Sequence, residues 1–307
     1  MKTTRMERPD YRIYPSLLIE YQNLLDYQTV AEEDWNKVSE ASHGRGEYLD
    51  SEVGDYKLTP DEMYLKLEAD LIDSINRLER KPNESADKGT AFNEIVDCLI
   101  EHRSSSRDDC LIKSVDLGGV KAVRAEINGF SFLFDLGLCK YAAEQFRGSL
   151  PQFLAEATMK TNFGSVQLYG YIDEWIGSKM YDIKTTGRYS WPKFDKGWQR
   201  YVYPWCVIES GLAECIDSFT YWIVEWAYQK NGTPLTAKGI YTEEYDYNHD
   251  YAAMKIKDML ESFIDWLESR REFIQDRRIF GGDNPEGWHG TPVDRDRLEK
   301  EIFKTTA

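Results

Sequence analysis

The sequence predicts an α+β fold, in which a central mixed β-sheet is flanked by helices and preceded by an N-terminal helical region. Apolar residues recur at helical spacing in the first part of the chain, and alternating patterns typical of strands fill the middle. A long amphipathic helix follows the strands. We predict an N-terminal helical region over residues 1–115, packed on a core over 116–280, and an irregular C-terminal tail over 281–307.

The N-terminal region is predicted to contain three helices. Pro15 and Ser16 make a plausible start for the first helix. Thr59 precedes the second, which has a proline at its first position and acidic residues in its first turn. The predicted helices span residues 15–28, 59–79 and about 90–102, with loop and short helices at 29–58 and a turn at 81–89.

The middle of the chain is predicted to form the sheet. Asn128 and Gly129 are a standard hairpin signal between two strands in 120–137. Further strands are predicted at 152–162, 165–175, 179–186, 216–228 and 238–247. Helices are predicted near 137–148, 195–210 and 250–276.

Composition limits the possible functions. The net charge of −16 is unfavourable for nucleic-acid binding unless a local basic surface exists. The five cysteines are odd in number and show no Cys-x-x-Cys spacing, so neither a zinc site nor a disulfide framework is expected. No apolar run approaches the roughly 20 residues of a membrane span, and the N-terminus lacks an apolar signal segment. A cytoplasmic protein without a membrane partner is expected.

The most informative stretch is residues 169–205. Asp182 and Lys184 are two residues apart on a predicted strand, so their side chains point to the same face. Asp173 belongs to the preceding strand, and we expect it to end that strand and to meet Asp182 at neighbouring strand ends. Two carboxylates and an ammonium group are suited to metal-assisted phosphodiester hydrolysis, because Mg²⁺ prefers oxygen ligands.

An Asp-x-Lys pair alone is common, and an exposed surface ion pair would explain it equally well. Here the pair lies between two further patterns. Gly170 and Asp173 form G-x-x-D, and Gln199 and Tyr203 form Q-x-x-x-Y on one face of a predicted helix.

This series resembles the RecB-like branch of the PD-(D/E)XK nucleases, which includes lambda-type exonucleases and Cas4 proteins. The resemblance covers about residues 90–210. The matching residues are Gly170, Asp173, Asp182, Lys184, Thr185, Gln199 and Tyr203. It implies a restriction-endonuclease-like fold and a Mg²⁺- or Mn²⁺-dependent DNA nuclease, with exonuclease activity favoured, acting in recombination, repair or phage DNA processing.

The resemblance also implies roles for individual residues. Asp173, Asp182, Lys184, Gln199 and Tyr203 would be catalytic. The metal ligands would be Asp173, Asp182, the Ile183 carbonyl, Asn93 and Glu156. Glu156 could equally be a solvated strand residue, and Glu94 and Asp97 are weaker candidates.

Two departures from the family pattern matter. The family has an upstream G-T-x-x-H helix; Gly89 and Thr90 match it, but Asn93 stands where the histidine is expected. An amide oxygen is a weaker ligand than a carboxylate, which puts metal affinity in doubt. The cysteine spacing cannot reproduce the Cas4 iron–sulfur cluster, so no such cluster is expected.

A basic segment offsets the acidic surface locally. Positive charge is concentrated in residues 177–200, whereas residues 18–70 are strongly acidic. Aromatic residues interleave with the cations, an arrangement suited to tracking a nucleic-acid strand. Trp198 is expected in the core. The predicted substrate contacts are Arg188, Lys193, Lys196 and Arg200 for phosphates, and Tyr189 and Trp191 for bases.

Two other functions compete with an active nuclease. One is a catalytically degenerate nuclease-fold module that binds nucleic acid or a partner protein, such as a recombination partner. Asn93 and the acidic surface favour it, whereas intact Asp173, Asp182 and Lys184 oppose it. The other is an unrelated acidic scaffold, which only the composition supports.

Overall fold

The computed structural model describes residues 8–33, 58–79, 81–229 and 232–281 and confirms the α+β class. Its helices are α1 (Pro15–Leu25), α2 (Pro60–Ile75), α3 (Glu84–Glu101), α4 (Leu136–Gln145), α5 (Gln199–Glu209) and α6 (His249–Ser269). Its strands are β1 (Tyr11–Ile13), β2 (Cys110–Asp116), β3 (Lys121–Ile127), β4 (Phe130–Asp135), β5 (Leu150–Thr161), β6 (Gly164–Ile176), β7 (Lys179–Thr186), β8 (Ser218–Trp226) and β9 (Ala237–Asp246). None of the helices within these ranges is long and apolar enough to cross a membrane.

The main sheet is mixed and has a gap beside β6. Its strand order is β1-β6-β7-β8-β9, and β5 pairs with β6 along nearly its whole length. Strands β1 and β7 therefore share the opposite edge of β6, where β1 pairs with residues 166–168 and β7 with residues 174–176. Among the described residues, no strand pairs with this edge at positions 169–173.

Hydrophobic residues cover both faces of the main sheet. On one face, α1, α5 and α6 bury a larger core that includes Leu18, Val202 and Phe263. On the other face, α3, α4 and a separate β2-β3-β4 sheet bury a smaller core that includes Phe92 and Phe134. Because helices pack against both faces, strand β8 is buried along its full length.

Local sequence explains two helix starts, one of them mispredicted. Thr59 caps α2 as expected, with a capping box to Glu62. The predicted turn at 81–89 is wrong beyond its first residues, because α3 already begins at Glu84. The Asn83 side chain accepts hydrogen bonds from the backbone N–H groups of Ser85 and Ala86, so this turn-like residue is the helix cap.

Other boundaries also differ from the prediction. Helix α6 ends at Ser269 rather than 276, and Ile274 reaches the core from a segment after the short 3₁₀ turn Arg271–Phe273. Strands β1 and β2 were not predicted. Since β1 joins the main sheet and β2 crosses position 115, the first 115 residues are not a purely helical region. Most of the predicted loop 29–58 and the tail 281–307 lie outside the described residues.

Candidate active site

A cavity of about 480 Å³ opens at the gap beside β6 and gathers all of the predicted catalytic and metal-binding residues except Glu156. Strands β6 and β7, helix α5 and helix α3 each contribute to its lining. The predicted residues in the lining are Asn93, Asp173, Asp182, Ile183, Lys184, Gln199 and Tyr203. The remaining lining residues are Tyr14, Pro15, Ser16, Arg77, Gln152, Tyr169, Gly170 and Tyr171.

The floor of the cavity is a bonded cluster on β7 and α5. Asp182 is 2% exposed, and its Oδ2 lies 2.6 Å from Lys184 Nζ. Its Oδ1 accepts a 2.6 Å hydrogen bond from Gln199 Nε2. The two-residue spacing on β7 and the first turn of α5 thus fix one carboxylate between a cation and an amide.

Asp173 does not end its strand, because β6 continues to Ile176. The paired ladder between β6 and β7 stops at Glu174, and Asp173 instead accepts a 2.8 Å hydrogen bond from the backbone N–H of Ile183 through Oδ2. The strand is also irregular here, since Ile172 and Trp175, three residues apart, both join the larger core. This irregularity places the Asp173 carboxylate in the gap, next to β7.

Asn93 on α3 completes the group. Its Nδ2 lies 3.3 Å from Asp173 Oδ2 and 3.4 Å from the Ile183 carbonyl oxygen. Its Oδ1 is buried and has no hydrogen-bond partner. The amide therefore lies between the oxygens proposed to bind a metal.

Burial and mutual repulsion shift the pKa values of these groups. Burial, and then the neighbouring Asp182, raise the pKa of Asp173 to about 8. Burial also raises the pKa of Asp182, although Lys184 opposes it. Burial lowers the pKa of Lys184, but Asp182 and Asp173 outweigh that effect and raise it overall. Two carboxylates whose charge is this unfavourable would be stabilised by a bound cation.

The glycines of the sequence patterns have packing roles. A Cβ on Gly170 would lie 2.6 Å from Cε1 of Tyr203, so the glycine of G-x-x-D makes room for the tyrosine of Q-x-x-x-Y. Gly89 on α3 packs against Thr185 of β7, where a Cβ would lie 3.1 Å from the threonine hydroxyl. This close approach brings Asn93, one helical turn further on, to Ile183.

Glu156 is not part of the cavity. The register of β5 on β6 places it opposite Tyr169, and its carboxylate accepts a hydrogen bond from Gln167. The same register brings Gln152 beside Asp173, to whose Oδ1 it donates a 3.4 Å hydrogen bond. Gln152 adopts a φ of 49°, a conformation uncommon for a residue other than glycine. No sequence signal identified Gln152.

A second cavity of about 430 Å³ adjoins the first and shares Asn93, Gln152, Tyr171 and Asp173 with it. Its other lining residues are Thr90, Glu94, Asp97, Ser106 and Arg107. Glu94 lies 2.8 Å from Arg103 in an ion pair and also accepts the backbone N–H of Ser106. Burial and then Glu94 raise the pKa of Asp97 to about 7. The two weaker candidates thus line a neighbouring acidic cavity.

The predicted substrate contacts line neither cavity. They lie in residues 188–200, which follow Lys184 along the chain and which we call the rim. Lys193, Lys196 and Arg200 of this segment contact other groups of the protein. Lys193 Nζ donates to the Arg188 carbonyl oxygen at 2.8 Å and to Thr186. The Arg200 guanidinium lies over the Tyr245 ring at 4.0 Å. Lys196 lies 3.9 Å from Glu33.

The aromatic residues of the rim fall into two groups. Tyr189 stacks on Tyr241 with ring centroids 4.5 Å apart, whereas Trp191 is 75% exposed. Burial and a hydrogen bond to Glu243 raise the pKa of Tyr189 to about 12. Trp198 is buried in the larger core, as predicted.

In the described part of the chain, no group of three or more His, Cys, Asp and Glu side chains could hold a metal ion. The candidate donors here are instead two carboxylates, an amide and a backbone carbonyl. All are hard oxygen ligands of the kind that Mg²⁺ binds together with water.

No family model matches this sequence, and no curated protein matches it significantly. Among solved structures, the chain is similar to one described as the crystal structure of SSO0001, at 13% identity and a TM-score of 0.29. The match covers 41% of this chain and about 55% of that protein's length. A likeness this weak carries no argument about fold family or function.

Proposed function

We propose that this chain is a metal-dependent DNA nuclease of the PD-(D/E)XK class that hydrolyses phosphodiester bonds. The observation that carries the proposal is the convergence of G-x-x-D, D-x-K and Q-x-x-x-Y on one cavity. Asp173, Asp182, Lys184, Gln199 and Tyr203 come from three separate elements and all line it. Surface ion pairs that merely happened to match the pattern would not converge in this way.

The donor set fits a divalent cation. Asp173, Asp182 and the Ile183 carbonyl would hold it. The Asn93 amide turns its nitrogen toward these groups, and rotation of the amide would present its oxygen, which is buried without a partner, as a further ligand. When bound, such an ion lowers the pKa of a coordinated water and offsets negative charge on the reacting phosphate.

The remaining chemistry belongs to side chains. Lys184 Nζ, held against Asp182, is placed to orient a water and to offset negative charge on a phosphate oxygen. Gln199 holds Asp182 in one orientation. Tyr203 packs on Gly170 and lines the cavity beside the carboxylates. We further propose exonuclease action on DNA in recombination, repair or phage DNA processing, in the cytoplasm.

The direct test is digestion of end-labelled linear DNA and of circular DNA with Mg²⁺ or Mn²⁺. Cleavage of linear DNA alone, dependent on metal and on Lys184, is the expected result. Cleavage of circular DNA would exclude an obligate exonuclease. No cleavage with either metal would contradict the proposal.

One observation favours a second candidate, a nuclease-fold module that binds DNA or a recombination partner without cutting. The Asn93 amide nitrogen, rather than an imidazole, lies between Asp173 and the Ile183 carbonyl. Calorimetric titration with Mn²⁺ separates the candidates. DNA binding without measurable metal binding or cleavage would favour the non-cutting module.

A further inference from the structure

The geometry points to a path for single-stranded DNA that enters the cavity along a wall formed by Tyr14, Tyr169, Tyr171 and Arg77. This inference rests on the proposed nuclease function and specifies its substrate as an unpaired strand. We call these four residues the tyrosine wall. None of them belongs to the patterns that identified the floor of the cavity.

Depth is the first reason for an unpaired strand. Asp182 is 2% exposed and Tyr203 is 6% exposed, so the reacting phosphate must reach a recessed floor. In a duplex, each phosphate lies on the outside of the helix, but it is fixed between its neighbours and backed by paired bases. An unpaired strand can bend, so that one of its phosphates enters the cavity of about 480 Å³ and reaches Asp182 more readily than a phosphate of a rigid duplex.

Spacing is the second reason. Tyr169 and Tyr171 are two residues apart on β6, so their side chains lie on one face about 7 Å apart. Successive nucleotides of one strand in a stacked duplex are separated by only about 3.4 Å along the axis. The tyrosine spacing suits an extended strand whose bases are not stacked on one another. Tyr171 is 50% exposed and lines the cavity together with Asp173, so its ring is available to a base.

The Tyr169 ring of the wall is held by contacts with two arginines and a tyrosine. The Arg12 guanidinium lies 4.6 Å from the Tyr169 ring centroid, and Tyr14 packs edge-on against the same ring at 5.8 Å. Arg77 donates a 3.2 Å hydrogen bond to the Tyr169 hydroxyl, and its Nε lies 3.5 Å from Asp276 in an ion pair. Its side chain is nevertheless 41% exposed and lines the cavity. An ordered ring next to an accessible guanidinium provides a stacking partner and a phosphate contact.

The charge of the two cavities sets the direction of entry. Both cavities contain carboxylates: the first has Asp173 and Asp182 together with two cations, Arg77 and Lys184. The adjoining cavity has Asp173, Glu94 and Asp97 with one cation, Arg107. Because phosphates are repelled by carboxylates and attracted by cations, the body of the strand belongs in the first cavity. Tyr171 lines both cavities and stands at the point where the strand reaches Asp173.

The test compares the full-length protein with Tyr171→Ala and Tyr171→Phe variants. The probes are a fluorescein-labelled single-stranded oligonucleotide and the blunt duplex of the same sequence, with Mn²⁺. Tyr228, which is 93% exposed, provides a matched control as Tyr228→Ala. We expect Tyr171→Ala to raise KM for the single strand about tenfold and to change kcat less than about twofold. Tyr171→Phe, which keeps the ring, and Tyr228→Ala should resemble the unmodified protein.

Binding is measured separately, by fluorescence anisotropy with Lys184→Ala alone and combined with Tyr171→Ala. Binding that depends on Tyr171, without cleavage by the unmodified protein, would support the strand path while the nuclease proposal failed. Cleavage with a KM and a binding affinity indifferent to Tyr171 would overturn the path and leave the nuclease proposal intact. Equal cleavage of blunt duplex and single strand would also overturn the path.

Discussion

The floor of the cavity and the rim segment are both polar, but their side chains are held in different ways. On the floor, Lys184 and Gln199 bond to Asp182, and all three face the open cavity. On the rim, Lys193 bonds to its own loop and Arg200 lies over an aromatic ring. A run of cations in a sequence therefore predicts the charge of a surface. It does not predict which of those cations remain available to bind a ligand.

The largest expected effect concerns the floor. Lys184→Ala should lower kcat for DNA cleavage by roughly 10²–10⁴-fold, because the ammonium acts on water and phosphate in the transition state. Mn²⁺ binding, measured by calorimetry, should be largely retained, since the lysine is not a ligand. Asp182→Asn should lose both cleavage and metal binding.

Lys179 provides the matched control for the lysine substitution. It belongs to the same strand but pairs with Glu244 at the surface, away from the cavity. Lys179→Ala should leave cleavage unchanged. Undiminished cutting by Lys184→Ala would remove the mechanistic basis of the nuclease proposal.

The floor could be predicted because its spacing is local. Asp182 and Lys184 share a strand face at two residues apart, and Gln199 and Tyr203 share a helix face at four. Both relations follow from the periodicity of one element. The predicted metal site and its chemistry remain proposals, although the residues named for it are assembled, apart from Glu156.

The parts that could not be predicted depend on contacts between elements. Whether Gln152 or Glu156 lies beside Asp173 is decided by the register of β5 on β6, which no local pattern reveals. Strand β1 has only three residues and forms through pairing with β6. The same limit explains why the tyrosine wall was not predicted, since Tyr14 and Arg77 approach Tyr169 from distant segments.

The next effect tests whether the floor depends on close packing. Gly170→Ala should lower the free energy of unfolding by about 1–3 kcal/mol, because its Cβ would collide with Tyr203. Denaturant unfolding monitored by fluorescence measures the change, and kcat/KM should fall as Tyr203 is displaced. Gly187→Ala is the control, since a Cβ there meets nothing within 4 Å. Equal stability of the two variants would show that the Gly170–Tyr203 contact is not tight.

A smaller effect tests the metal-binding edge of the floor. Asn93→His should tighten Mn²⁺ binding roughly tenfold, because an imidazole nitrogen is a better ligand for this ion than an amide. Calorimetry measures the dissociation constant, with Asn93→Ala as the variant that has no side-chain ligand. Glu156→Gln should leave metal binding unchanged, because Glu156 bonds to Gln167 outside the cavity. If Glu156→Gln weakened binding as much as Asn93→Ala, the proposed ligand set would be wrong.

The smallest predicted effect shows whether DNA phosphates contact the cations of the rim or Arg77 of the tyrosine wall. Each phosphate contact adds about −0.7 to −0.9 to the slope of log affinity against log salt, so reversing Lys193 and Lys196 would flatten it by roughly 1.5 if both contacted DNA. Because Lys193 Nζ already bonds to Thr186 and the Arg188 carbonyl, we expect a flattening of about 0.7 at most, from Lys196. Arg77→Gln should flatten the slope by a similar amount.

Salt titrations of single-stranded DNA binding, in protein that also carries Lys184→Ala, measure the slope for the reversed lysine pair, for Arg77→Gln and for a reversed acidic pair. Glu32 and Asp61, exposed acidic residues of the N-terminal stretch, provide the reference, because reversing them should leave the slope almost unchanged. A flattening near 1.5 for the lysine pair and none for Arg77→Gln would place the DNA over the rim, as the distribution of charge in the sequence predicted. The opposite ranking would mean that Lys193 and Lys196 stabilise the rim segment instead of binding DNA, and that the tyrosine wall contacts the phosphates.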